Sequence, residues 1–122
     1  MSSNKNILVV EDDPASQSIL ARLLKTRGYD VMTAGTGHEA MAVTAWQKPH
    51  LALVDIALPE VSGVDYLRWV RKNHPQVLVI MLSSFEELST IADETRELGA
   101  FDYFSKPPDF SELLDKVDQA MA

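Results

Sequence analysis

An α/β fold, a three-layer (βα)5 doubly wound parallel sheet, is predicted by three features of this 122-residue sequence. Several short runs of β-branched and aliphatic residues are apolar on both faces, as strands covered by helices on either side must be. Between them the apolar period changes to that of an amphipathic helix. Glycines and prolines fall at the changeovers, and strict β–α alternation with short connections leaves right-handed crossovers as the standing solution.

Taken in order, "ILVV" (7–10) is the first strand, and Ile19, Leu20, Leu23 and Leu24 mark the inward stripe of a helix that Gly28 ends. The weaker run "VMT" (31–33) is the second strand, followed by a helix around Ala40 to Trp46. Pro49 precedes the strand "LALVD" (51–55), and Val64, Leu67 and Val70 define the third helix. Pro75 precedes "VLVIML" (77–82), and a helix over Leu88 to Leu98 stops at Gly99. The aromatic run "AFDYF" (100–104) is the fifth strand, and Phe110, Leu113, Leu114 and Val117 mark the last helix. With helices on both faces, the strand order is expected to be the flavodoxin-like 2-1-3-4-5. No linker or repeat interrupts the pattern, so residues 1–122 read as one domain.

Composition narrows the function. No cysteine is present, which excludes disulfides and thiolate metal sites. The polar start "MSSNKN" and the absence of any long apolar run argue against a signal peptide or a membrane span, so a cytoplasmic location is expected. A formal charge of −7 repels phosphate backbones and disfavours direct nucleic-acid binding.

Chemistry in such a sheet gathers at the carboxyl ends of the strands. Strand one ends in Glu11-Asp12-Asp13, strand three in Asp55, strand four in Ser83-Ser84, and strand five runs into Ser105-Lys106. In the expected order, strands one and three are neighbours, so Asp55 faces the acidic cluster. Carboxylates that close must raise their pKa values or find counter-charge. A hard divalent cation such as Mg²⁺ suits an all-oxygen donor set, and Lys106 supplies a fixed positive charge. An aspartate nucleophile, a cation and donors for equatorial oxygens make a site for phosphoryl chemistry. Pro14 lacks an N–H and suits a first helical turn, which makes Asp13 the helix N-cap and leaves Glu11 and Asp12 to the site. The stretch "SSFEE" offers two overlapping capping boxes, and Ser84 is assigned to the cap.

The stretches "VVEDDP", "LVDIALPEVSG", "MLSS" and "GAFDYFSKP" together resemble the receiver domain of two-component response regulators, the CheY-like superfamily, over nearly the whole chain. The resemblance implies that Asp55 is the phosphoacceptor. It further implies that Asp12 binds Mg²⁺ directly, that Glu11 acts through water, and that Ala57 offers its backbone carbonyl to the metal. Ser83 and Lys106 then contact the phosphoryl group, and Tyr103 is the aromatic whose rotation accompanies activation. A sensor histidine kinase or histidine phosphotransfer domain is the implied donor, and the surface of the fourth helix, fifth strand and fifth helix is the implied output. Apart from its own phosphorylation and dephosphorylation, no enzymatic activity is implied. The effector is either an output domain beyond Ala122 or a separate protein, and a homodimer formed on phosphorylation belongs to the same expectation.

This sequence departs from the pattern in having serine at 83, one extra residue between Ser83 and Lys106, and Pro108 after Lys106-Pro107. The competing function is a pseudo-receiver acting as a constitutive protein-binding module. A flavin carrier would need a phosphate loop where this chain has carboxylates. The three histidines, His38, His50 and His74, read as surface residues without ligand spacing, and Trp69 falls off the inward stripe of its helix.

Overall fold

The computed structural model describes residues 5–84 and 93–122. Strands β1 (Asn6–Val10), β2 (Asp30–Ala34), β3 (Leu51–Asp55), β4 (Leu78–Ser83) and β5 (Asp102–Ser105) form one sheet in the order β2-β1-β3-β4-β5. Every pairing is parallel. The helices are α1 (Pro14–Thr26), α2 (Gly37–Gln47), α3 (Gly63–Asn73), α4, of which residues 93–97 are described, and α5 (Phe110–Met121).

Alternation along the strands divides the core between the two faces. Leu8, Val10, Ala52, Val54, Val79 and Met81 point to one side, where Tyr66, Leu67 and Val70 of α3 cover them. Ile7, Val9, Leu51, Leu53, Ile80 and Leu82 point to the other, under Leu20 and Leu24 of α1 and Leu113 and Val117 of α5. The central strand β3 is buried at all five positions, whereas the edge strands β2 and β5 are largely half-exposed. That is why the runs marking β2 and β5 are short and polar-diluted while "LALVD" is not.

Boundaries shift where local turns compete with the ladder. Val77 starts no strand, because its N–H bonds the His74 carbonyl in a turn, and β4 instead extends to Ser83, paired with Ser105. Of the predicted helical stripes, Ile19 and Phe110 lie outside the core, at 47% and 37% exposure, because each flanks an open cleft rather than the sheet. Trp69 is half-buried, with its ring tilted against Tyr66 and His74, and His74 is accordingly half-buried rather than a plain surface residue. The outlying tryptophan is Trp46, 83% exposed on α2. The capping role expected of Ser84 and the start of the helix expected from Leu88 involve residues 85–92, outside the described residues.

Two contacts set the α2–α3 layer against the sheet. Thr44 donates to the Ala40 carbonyl, which uses its only hydroxyl hydrogen, so the buried Tyr66 hydroxyl 2.7 Å away donates to Thr44 Oγ1. Burial pushes the Tyr66 phenol up to about 12, so it stays a donor across the physiological range. Where α3 begins, Ser62 and Asp65 form a reciprocal capping box. Gly63 lies so close to β3 that a Cβ there would sit 2.4 Å from the Asp55 carbonyl oxygen and 2.7 Å from Ile56 Cα. The glycine lets the helix start directly beneath the carboxyl end of the central strand.

Gly63→Ala is therefore expected to lower unfolding stability by about 2 kcal/mol, the cost of overpacking against backbone that cannot yield. Urea melts of the two proteins measure it, and an unchanged midpoint would show that α3 slides without penalty.

Candidate functional site

Parallel register brings the strand ends level. Val10 pairs with Val54 and Asp55 with Leu82, so the residues following β1 and ending β3 open on the same edge. Glu11 prolongs β1, its N–H bonding the Ala34 carbonyl at 3.0 Å, and its side chain is 1% exposed. Asp55 is also buried, and Asp12 is exposed. Carboxylate oxygens of these three residues lie within 4.8 Å of one another.

Asp13 stands apart from them. Its side chain accepts from Ser16 N–H at 2.9 Å and caps α1, with Pro14 in the first turn. The Ser16 backbone bond holds its carboxyl below the usual range, as a charge-assisted cap should. Its own N–H bonds Glu11 Oε2 at 3.2 Å, so the cap residue also steadies the buried glutamate.

Lys106 follows β5, placed by its N–H on the Ser83 carbonyl at 2.7 Å, and its peptide bond to Pro107 is cis. From there its Nζ donates to Glu11 Oε1 at 2.8 Å and to Asp55 Oδ2 at 3.0 Å. Burial works against the Lys106 ammonium, but the two carboxylates outweigh it and raise its pKa. Burial dominates at Glu11 and raises its carboxyl above the usual range; Asp55 adds to the rise, while Lys106 and the Asp13 N–H oppose it. One ammonium thus bridges two buried carboxylates, with the exposed Asp12 beside them. A hard cation bound to these oxygens would relieve their repulsion, and the donor chemistry fits one.

The remaining predicted residues are placed as follows. Asp55 Oδ1 accepts the Ala57 N–H at 3.0 Å, a contact not foreseen from the sequence. Ser83 is fully buried at the end of β4, with its hydroxyl on the Ser84 carbonyl at 3.0 Å. Tyr103 lies on β5 opposite Met81, half-buried, with the Arg96 guanidinium 5.1 Å above its ring. Two contributors gave no sequence signal: Gln17, whose amide holds the Glu11 carbonyl at 3.0 Å, and Arg96. Beside Glu11 and Lys106 an apolar cleft of about 260 Å³ opens between Ile19, Leu20, Pro108 and Phe110.

Known proteins resemble this chain in sequence and fold. Sporulation initiation phosphotransferase F of Bacillus subtilis is 31% identical over 114 residues, covering 93% of this chain and 91% of that protein. The transcriptional regulatory protein ZraR of Salmonella typhimurium is 34% identical over 117 residues, covering 96% of this chain but only 26% of that protein. The chain thus spans about a quarter of the length of several curated relatives it matches. The structure of response regulator protein TrrA from Thermotoga maritima, in complex with Mg(2+)-BeF, superposes with a TM-score of 0.86 at 30% identity, covering 95% of this chain and 98% of that one. The family model of the response regulator receiver domain matches residues 7–118, and the buried carboxylates, their shared lysine and the 2-1-3-4-5 sheet all fall within it: the chain belongs to the response regulator receiver domain family.

Proposed function

We propose that the whole chain acts as a receiver module that takes a phosphoryl group onto Asp55 from the phosphohistidine of a sensor histidine kinase or phosphotransfer domain. The observation that carries this reading is the Lys106 ammonium shared by buried Glu11 and Asp55, at 2.8 and 3.0 Å, inside a cluster of three carboxylates. Such an arrangement is costly for stability and suits a site where negative charge is about to increase. All the groups whose loss would mark a pseudo-receiver are present and converge.

In this reading an Asp55 carboxylate oxygen forms the bond to phosphorus while the P–N bond to the donor imidazole breaks, and the imidazole leaves with a proton. Asp12 and Asp55, the Ala57 carbonyl and, through water, Glu11 would hold Mg²⁺. The ion, when bound, supplies charge neutralisation for the transferring group. The chain's own residues supply the rest. Lys106, already on Asp55 Oδ2, follows the new oxygens without leaving its loop. Ser83 exchanges the Ser84 carbonyl for a phosphoryl oxygen, and Ala57 N–H keeps Asp55 oriented. Movement at Ser83 and Lys106 is then passed to Tyr103 and the α4-β5-α5 surface, where Arg96 already grips the ring. The apolar cleft between Ile19 and Phe110, open beside the acceptor, gives a docking partner somewhere to rest. The effector, whether a following domain, a separate protein or a second copy in a phosphorylation-dependent homodimer, reads that surface.

Three measurements test this. Incubation with a small-molecule phosphodonor and Mg²⁺ should raise the intact mass by one phosphoryl group, and Asp55→Asn should abolish the gain; a modified Asp55→Asn protein would move the acceptor elsewhere. Mg²⁺ titration by calorimetry should show Asp12→Asn binding at least about tenfold more weakly, a loss that even outer partners of a metal can cause. Asp13→Asn should bind as wild type does, and the reverse ranking would overturn the division between cap and ligand.

The third measurement follows from Glu11. Its folded-state pKa is raised, so its contribution to stability is fully present below its unfolded value of 4.5 and is lost as pH rises through the folded pKa. In metal-free buffer, wild type minus Glu11→Gln stability should therefore fall as pH climbs from 4.5 towards neutrality, and Mg²⁺ should flatten the difference. A difference that grows with pH would contradict the assignment.

A further inference from the structure

The opposite edge of the sheet, where the strands begin, carries a second feature that the phosphoacceptor reading does not use. A recess of about 370 Å³, within the range of small-molecule pockets, lies between the start of β1, the segment entering β3, the turn before β4 and the end of α5. Its polar lining consists of Lys5, Lys48, His50 and Gln76, with no carboxylate side chain among them, in a chain of net charge −7. Pro49, Leu78 and Met121 supply the apolar wall.

The donors are set in place by backbone. Lys5 Nζ is tied to the Met121 carbonyl, and neither Lys5 nor Lys48 has an ion pair among the described residues. His50 is fixed on both sides, its N–H on the Asn6 carbonyl at 2.9 Å and its carbonyl on Leu78 N–H at 3.1 Å. Its ring Nδ1 accepts the Asn6 N–H at 3.0 Å, which places the hydrogen of the neutral ring on Nε2 and makes that atom a donor.

Lys48 is the telling residue. It closes α2 in the left-handed region, φ 49 and ψ 65, with its N–H on the Thr44 carbonyl. Glycine or asparagine fills that position without strain, whereas lysine does not. A left-handed lysine at the mouth of a recess whose side chains include a second ammonium and no carboxylate fits an anionic occupant.

We propose that this recess binds a small organic anion, a carboxylate or phosphate head on a compact apolar body, with the head held by Lys48, Lys5 and His50 and the body against Leu78 and Met121. The site is independent of the Asp55 chemistry, lying at the other end of the same strands.

The test is an amide NMR titration of the chain without Mg²⁺, using benzoate, phenyl phosphate, inorganic phosphate and neutral benzamide. At least one of the two aromatic anions should shift the Asn6, His50 and Leu78 amides saturably while Asp12, Asp55 and Ser83 stay in place, and benzamide should shift none. Which anion binds more tightly distinguishes a carboxylate from a phosphate head. Lys48→Gly relieves the left-handed strain, so the fold persists, as a thermal melt will verify, yet binding should weaken about tenfold through the lost charged donor. Absence of any saturable shift, equal shifts by benzamide, inorganic phosphate binding as tightly as the aromatic anions, shifts centred on Asp55, or unchanged affinity in Lys48→Gly would each overturn the proposal.

Discussion

The contact of the Lys106 ammonium with Glu11 and Asp55 is the interaction on which the rest of this structure turns. Two carboxylates buried this deeply beside each other need a cation to offset lost hydration and mutual repulsion. Supplying that cation demands much of the fold. Strands β1 and β3 must be neighbours so that Glu11 and Asp55 meet, β5 must end level with β4 so that Lys106 N–H reaches the Ser83 carbonyl, and the long lysine side chain must then span β4 to reach both carboxylates. The sheet order therefore serves the charge arrangement, and a different order would leave the same residues apart.

Around this centre, polar groups divide their work by small differences of position. Glu11, Asp12 and Asp13 are consecutive, yet one is buried against a lysine, one is exposed within reach of the cluster, and one caps a helix. The division arises because the strand ends and the helix begins within three residues, so each successive carboxylate meets a different environment. Asp13 then returns its N–H to Glu11, linking the cap to the site. The same economy is seen after β3, where Asp55 Oδ1 is held by Ala57 N–H and the glycine at 63 lets a helix start against the strand's last peptide.

The proposed phosphoacceptor site and the recess at the opposite edge of the sheet are lined by opposite charges. Glu11, Asp12 and Asp55 gather where β1 and β3 end, and Lys5 and Lys48 line the recess where those strands begin. A net charge of −7 describes neither edge, which shows how little an overall balance says about local recognition. Lys48 ends α2 in the left-handed cap conformation that glycine or asparagine adopts more readily, and so places a lysine beside the recess.

Periodicity and punctuation alone determined the (βα)5 alternation, because a strand covered on both faces and a helix covered on one leave different apolar patterns in a linear string. Glu11, Asp12, Asp55, Ser83 and Lys106 were legible as candidate site residues for a related reason: charge and hydroxyls at the ends of buried strands stand out against the apolar runs before them. Tertiary structure decided what a string cannot encode. Ile19 and Phe110 follow the helical stripe yet flank a cleft, since the stripe says which side faces inward but not where the inward side runs out. Trp69 found cover from Tyr66 and His74, while Trp46 found none. The Ala57 and Gln17 contacts use backbone N–H and a side-chain amide, groups so common that no spacing announces them. The sharing of one ammonium between Glu11 and Asp55, residues 44 apart in the chain, exists only once the sheet has closed the distance between them, because Coulomb attraction depends on separation in space.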